Sequence, residues 1–474
     1  MQRSLLAHFL DDLDCRAPGA INRRRFLATV GGSAAAAVAM LPAYRHALAA
    51  RRRAESEAGG AIRVESIEAH EIQPRYNKWI HHELQHFYGP SKRYVYEVKT
   101  NTGLVGLGES GSLESEGVRK GYIGTNPFDH VGDMTSLGLG TAMYDLMGQA
   151  AGVPVYQLFG QKYRSWIPVG AWTVSTHPDH MAEAVLRYAD LGYTWLKYHL
   201  SPFENVFDQT AAMQAVAPPG FRVHYDFTMH GTDDHMPDLL ARLAEYPIAG
   251  CFEDALPPGD IEGYIALRKR SQLPIVLHHF PLGATYEVLM GAADIYMLGH
   301  ARIGDAQKKA GLFAAAGKPF MLQNVGGAIT RAMVCHMMAA FPTATFHCHN
   351  DYETWAADVV AERLDPVNGL VRVPEKPGLG LTLDREALER LKALKLPAKD
   401  RWIIKSRFEN GTRLYAIADP AHSIFMVRPD RSRNLPPMSY AAPIATEYWD
   451  DDGSEEYRAM FARIEREGMV LERG

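Results

Sequence analysis

The chain has 474 residues, 22% of them charged, and a formal net charge of −5. That length predicts two or three domains, and a 47% apolar share supplies a large core. The slightly acidic balance, with no basic stripe beyond the N-terminus, excludes nucleic acid as a partner.

Residues 1–50 read as a targeting segment. Asn22-Arg23-Arg24-Arg25-Phe26-Leu27 precedes an Ala/Gly-rich apolar run reaching Met40-Leu41, and Ala47-Leu48-Ala49 follows as a small-x-small cleavage pattern. This order resembles a twin-arginine export signal. It implies the twin-arginine export machinery as a partner and a periplasmic or otherwise extracytoplasmic location. The run is too rich in Ala and Gly for a permanent anchor. Cys15 would leave with the signal. Cys251, Cys335 and Cys348 are then an odd number without paired spacing, so no disulfide framework is expected.

Residues 51–60 read as a linker. Strand-like runs follow at 61–72, 93–99 and 104–108, the last two joined by the turn Asn101-Thr102-Gly103, and a helix is predicted over 137–150. Together they predict a small α+β unit. Between its first two strands, Pro74 to Lys92 carries Arg75, Tyr76, Trp79, His81, His82, His86, Phe87 and Tyr88. So many large rings in one connection point either to a lid or to a docking surface.

From 166 onward apolar runs alternate with helical periodicity. The runs begin near Ile167, Thr194, Phe221, Ile248, Pro274, Asp294, Lys318 and Ala344, with helices predicted at 179–190 and 304–316. Eight runs at intervals of roughly 20–28 residues predict a (β/α)8 barrel over 166–372. Beyond it lie a turn-rich loop and helix at 373–394, a hairpin at 402–428 around Asn410-Gly411, and a helix at 454–468. Residues 399–474 form a C-terminal extension.

Barrel chemistry sits at the C-terminal strand ends. FRVHYD (221–226), IAGCFED (248–254) and LPIVLHH (273–279) end on Asp226, Glu253 and the pair His278-His279. Two carboxylates and an imidazole meeting there predict a divalent-metal site. Alternation puts Lys197 and His199 on one strand face, and His347 and His349 on another. His224 and His230 flank Asp226. A one-residue slip in register would exchange His278 for His279.

Three separate segments carry a family resemblance. MYDLMGQAAGVPVYQLFGQKYR (143–164) resembles a link from cap to barrel, FEDALPPGD (252–260) a fourth-strand metal motif, and PEKPGLGLTLD (374–384) a post-barrel return to the cap. In this order they resemble the mandelate racemase and muconate lactonizing branch of the enolase superfamily. The resemblance implies an α/β fold, a (β/α)8 barrel with an N-terminal α+β capping domain at 61–165 completed by 373–398. It also implies symmetric homo-oligomers and a small carboxylate substrate, with a sugar acid foremost. The implied chemistry is abstraction of the proton α to a carboxylate, with a divalent metal and a Lys or His base stabilising an enediolate.

Carried over by position, the metal ligands are Asp226, Glu253 and His279, the last in place of an acid. The Lys-x-Lys base motif becomes Lys197-Tyr198-His199, so His199 stands where the usual base stands and Lys197 is its partner or a carboxylate-binding cation. The sixth-strand Asp falls on Gly299 and the seventh-strand His on Gln323, which removes the His-Asp dyad. His349 is the candidate acid on the far wall. Glu109 reads as structural. One divalent metal is expected, Mg by resemblance, with Mn, Zn or Fe favoured by His279. The expected activity is a metal-dependent lyase, a sugar-acid dehydratase. Racemase, epimerase and cycloisomerase chemistry, hydrolytic or redox chemistry on the same barrel, and a non-catalytic acid-binding barrel are the rivals.

Overall fold

Three antiparallel strands, β1 (Val64–Ile72), β2 (Arg93–Thr100) and β3 (Val105–Ser110), pair in the order β1-β2-β3. The turn between β2 and β3 holds Gly103 at φ +81°, a conformation that costs other residues a Cβ clash. Helix Leu137–Ala151 packs on this sheet at close range. A Cβ at Gly108 would lie 2.1 Å from the Gly138 carbonyl oxygen. Asp145, on that helix, accepts from Leu107 N of β3 and from Leu379 N of the post-barrel segment, both at 2.8 Å. Arg385 of helix Arg385–Ala393 grips Glu97 of β2 with two guanidinium nitrogens at 2.5 Å.

The computed structural model describes residues 61–201, 203–228, 235–397, 400–418 and 444–473. The export-type motif and its cleavage pattern, the linker, Cys15, His230 and the far end of the 402–428 hairpin lie outside the described residues. No helix among the described residues is long and apolar enough to cross a membrane.

The barrel is introduced by β4 (Trp166–Pro168), which pairs with β12 (Leu370–Arg372). Seven parallel strands follow: β5 (Ala171–Val174), β6 (Trp195–His199), β7 (Arg222–Asp226), β8 (Ala249–Glu253), β9 (Ile275–Leu277), β10 (Ile295–Gly299) and β11 (Phe320–Gln323), neighbours in space as in sequence. The eighth run is not a regular strand. Residues 346–349 close the ring through single bridges, Gln323↔His349 on one side and Val169↔Cys348 on the other. The helices follow their apolar stripes. In helix Pro178–Asp190, Met181, Ala184, Val185 and Tyr188 are buried at helical spacing, and Pro178 opens the first turn. Inside the ring, Cys251, Val276, Ile295, Met297 and Met321 form an apolar floor with Trp195 and Phe346.

The C-terminal extension is a sheet of its own. β13 (Trp402–Phe408), β14 (Arg413–Ala418), β15 (Ile444–Trp449) and β16 (Met469–Glu472) run in the order β15-β13-β14-β16, with helix Glu455–Glu467 before β16. Trp402, Ile404, Leu414 and Ala416 pack against Leu84 and Phe87 of helix His81–Tyr88 and against Trp172 and Val174 of β5. His86 of that helix stacks on Tyr448 at 4.5 Å and meets Asp450 at 3.1 Å. The ring-rich connection therefore forms a short helix, and its outer side is covered by the chain's own C-terminal sheet.

Candidate active site

Parallel register brings the acids together. His199, Asp226 and Glu253 pair across β6, β7 and β8 as strand-end residues. A cavity of about 1360 Å³ opens over this end, lined in part by Tyr88, Arg93, His199, Asp226, His278, Gln323 and Asp351.

Lys197 lies directly beneath the acids and is fully buried. Its Nζ is 3.0 Å from Asp226 Oδ2, 2.7 Å from Glu253 Oε2 and 2.6 Å from Gln323 Oε1. Burial alone would lower the Lys197 pKa, but the charges of Asp226 and Glu253 outweigh it and raise it. The ammonium does not line the cavity. From beneath the acids, Lys197 holds both side chains in place. Burial and mutual repulsion push Asp226 and Glu253 upward. Lys197 with the imidazoles of His199 (Asp226) and of His224 and His278 (Glu253) reverses this and holds both carboxyls low. His199 Nε2 is 3.1 Å from Asp226 Oδ2, and its Nδ1 is 3.2 Å from the Tyr88 hydroxyl.

At the third position of the expected triad, His278 and His279 both line the cavity, and with Asp254 they form a group whose donor atoms could hold an ion. β9 ends at Leu277, so strand alternation no longer directs the next two side chains. Asp254, at φ +44°, turns its carboxylate beneath the chain that follows β9 and accepts from His278 N at 2.9 Å. His279 Nδ1 then lies 2.5 Å from Asp254 Oδ2, and that contact raises the His279 pKa. His278 lines the cavity beside His279, with Nδ1 3.0 Å from Glu253 Oε1. Its ring occupies space that Gly299 leaves open: a Cβ there would sit 1.9 Å from His278 Nε2. Loss of the sixth-strand acid and gain of the fifth-strand imidazole are one packing solution.

The far wall also differs from expectation. Gln323 lines the cavity while its Oε1 accepts from Lys197. His349 is fully buried, with Nδ1 3.1 Å from the Gly170 carbonyl, and is not among the residues lining the cavity. Asp351, two residues on, does line the cavity. Burial, with Glu353 nearby, pushes its carboxyl up to about 7. His224 touches Glu253 from below, Nε2 to Oε2, at 2.7 Å. Burial lowers the pKa of His224, His347 and His349, so all three rings are neutral near pH 7.

The cap is fastened over the cavity by Glu109. It accepts from Arg93 Nε at 3.0 Å and from Gly327 N at 2.8 Å, at the start of helix Ala328–Ala340, in agreement with its structural reading. Tyr88 and Asp351 are the cavity residues that sequence reasoning passed over. Tyr88 stood in the ring-rich segment and Asp351 just after His349, but neither carries a spacing signal toward β6.

The family profile described as Enolase C-terminal domain-like matches residues 180–387. The fold is that of the enolase superfamily. Its (β/α)8 barrel and separate cap are those expected from the sequence. D-xylonate dehydratase of Haloferax volcanii is 27% identical over 62% of this chain and 84% of its own length. Arabinonate dehydratase of Saccharolobus solfataricus is 22% identical, over 54% of this chain and 71% of its own. An enolase-fold structure from Pseudomonas fluorescens, with bound magnesium, potassium and tartrate, has a TM-score of 0.58 at 19% identity, covering 70% of this chain and 92% of that one. The profile match ends before β13, so the C-terminal sheet lies beyond it.

The Pseudomonas fluorescens structure holds magnesium, and the donor set here is of a kind that suits a divalent cation. Two buried carboxylates outnumber the single ammonium between them, and the His278 imidazole stands beside Glu253. Asp226 and Glu253 with His278 would hold the ion, and Asp254, His278 and His279 form the group at this rim whose donor atoms lie within 4.8 Å of one another.

Proposed function

We propose that this protein is a metal-dependent lyase that dehydrates a hydroxylated carboxylic acid, a sugar acid by its relatives' substrates. The observation that carries the reading is the strand-end set of Asp226 and Glu253 around Lys197, with the His199 imidazole beside Asp226 at the cavity wall. When bound, the metal supplies charge stabilisation for the oxyanion that develops on the substrate carboxylate. His199 takes the α-proton on Nδ1, which exchanges its contact with the Tyr88 hydroxyl for the substrate, while Asp226 accepts from Nε2–H and fixes the ring. Asp351 gives its proton to the β-hydroxyl as that group leaves as water, and the enol left behind tautomerises to the 2-keto-3-deoxy acid. Arg93 and Lys309 line the cavity paired with Glu109 and Asp305, and Arg302 adds a positive group for an anionic substrate. Dehydration is favoured over racemisation because the second face carries Gln323, bonded to Lys197, where a second base would stand.

An imidazole in the ligand set favours Mn, Zn or Fe over Mg. The enzyme is read as a symmetric homo-oligomer exported on the signal that Asn22–Leu27 resembles, which cell fractionation and light scattering of the purified protein check. The deciding experiment follows exchange of the substrate α-hydrogen in deuterated water across a panel of sugar acids with several divalent metals. Exchange and dehydration by the wild type, both abolished in His199→Gln at unchanged metal content, are expected. Binding of an acid without any exchange would refute the proposal, and exchange retained in His199→Gln would remove its role as base.

A further inference from the structure

Between the apolar floor and the acid rim, three imidazoles face one another inside the barrel. His224 comes from β7, and His347 and His349 from the segment that closes the ring. All are 2% exposed or less, and one ligating atom of each lies within 4.8 Å of the other two.

Their outer contacts say which nitrogens are bare. His349 Nδ1 faces the Gly170 carbonyl at 3.1 Å. A carbonyl only accepts, so Nδ1 carries the proton and Nε2 keeps its lone pair. That Nε2 is buried and has no hydrogen-bond partner, an arrangement folded proteins avoid. His224 Nε2 approaches Glu253 Oε2 at 2.7 Å, without hydrogen-bond alignment. The negative charge keeps the proton on that side and leaves Nδ1 bare toward His347 Nε2, 3.0 Å away. Two nitrogens at that distance can share either a proton or an ion. In a tetrahedral zinc site with bonds of about 2.0–2.1 Å, ligand nitrogens stand about 3.3 Å apart. A shared proton satisfies two of the rings and leaves His349 Nε2 empty, whereas a shared ion satisfies all three. Gly170 opens the space, since a Cβ there would lie 2.4 Å from His349 Cε1 and 3.0 Å from His347 Cδ2.

We infer that His224, His347 and His349 form a second, fully buried metal centre for one divalent ion of the zinc class, separate from the cation position on Asp226 and Glu253. Neutral nitrogen donors select Zn, Co, Ni or Cu over Mg and Ca. The Glu253 and Gly170 contacts are of the kind that orient metal-bound imidazoles from outside. Burial without a path to the cavity means the ion enters as the barrel closes and then resists exchange.

The test uses the full-length protein as isolated, dialysed against EDTA. One zinc-class ion per chain is expected to remain, and X-ray absorption at its edge should show a shell with three imidazole nitrogens. After unfolding and refolding with Co²⁺ alone, the wild type should give the visible bands of a tetrahedral cobalt site. His349→Gln, refolded in the same way, should bind Co²⁺ at least tenfold more weakly. No retained ion together with no cobalt bands, an oxygen-dominated shell, or unchanged Co²⁺ affinity in His349→Gln would each overturn the proposal. If His349→Gln fails to fold, the wild-type absorption shell and cobalt spectrum decide by themselves.

Discussion

Replacing Lys197 by methionine in chelator-treated protein isolates what the ammonium does for the acids. At an effective dielectric of about 20, each of its contacts at 2.7–3.0 Å is worth roughly 5–6 kcal/mol. Desolvating the three charges costs several kcal/mol per ion, so the assembled cluster is close to balance. Lys197→Met removes the attraction and leaves both carboxylates buried, which costs about 3–5 kcal/mol. In the wild type, both carboxyls are held low, so their contribution is present above the unfolded value near 4 and fades as pH falls through the folded values. In the variant one carboxyl must take up a proton, its folded pKa lies above the unfolded one, and the penalty grows as pH rises. The variant's trend opens the gap from about pH 4 toward neutral pH, and the wild-type trend narrows it further only below about pH 4. Urea unfolding of both proteins between pH 4 and 8 measures it. A gap below about 1 kcal/mol at pH 7.5, against the 3–5 of a broken buried pair, or one that does not change with pH, would refute this account of the cluster.

Gly299→Ala should displace His278 from Glu253, because the new Cβ would lie 1.9 Å from its Nε2. The ring can swing into the cavity, so stability falls by about 1–3 kcal/mol at most, while divalent-metal affinity drops roughly 10–100-fold. Calorimetric titration checks the affinity, and an unchanged value removes His278 from the ligand set. Tyr88→Phe leaves the packing and deletes one hydrogen bond to His199. A loss of about 0.5–1.5 kcal/mol in kcat/KM for exchange is expected, with a displaced pH profile; identical profiles would show that Tyr88 does not tune the base. Glu204, buried under the C-terminal sheet, is pushed from an ordinary 4.5 up to about 8, chiefly by burial. Wild-type stability should therefore fall between about pH 4.5 and 8 by up to roughly 4–5 kcal/mol. Glu204→Gln should remove that slope, and parallel stability curves for the two proteins would contradict the shift.

What was legible in the sequence is what repeats. The barrel could be read because helical and strand periods alternate at a near-constant interval, and Asp226, Glu253, Lys197 and His199 because each sits inside a strand where alternation dictates its face. Legibility ends where the strand ends. His279 carries the family position, but β9 stops at Leu277, and past it His278 and His279 both reach the cavity, each beside an acid, Glu253 or Asp254. No local pattern encodes that placement; it becomes readable only when Gly299, on the neighbouring strand, is seen as the space His278 fills. Tyr88 was hidden for a different reason. Its position depends on Trp402, Ile404 and Tyr448 of the C-terminal sheet holding helix His81–Tyr88 against β5, contacts between segments separated by the whole barrel. The extension, which the sequence left without a role, thus presses the segment that carries Tyr88 against His199. A deletion of residues 400–474 should accordingly lower exchange through the loss of that helix, not through the barrel, and restoring the sheet as a separate chain should restore Tyr88 to the ring of His199.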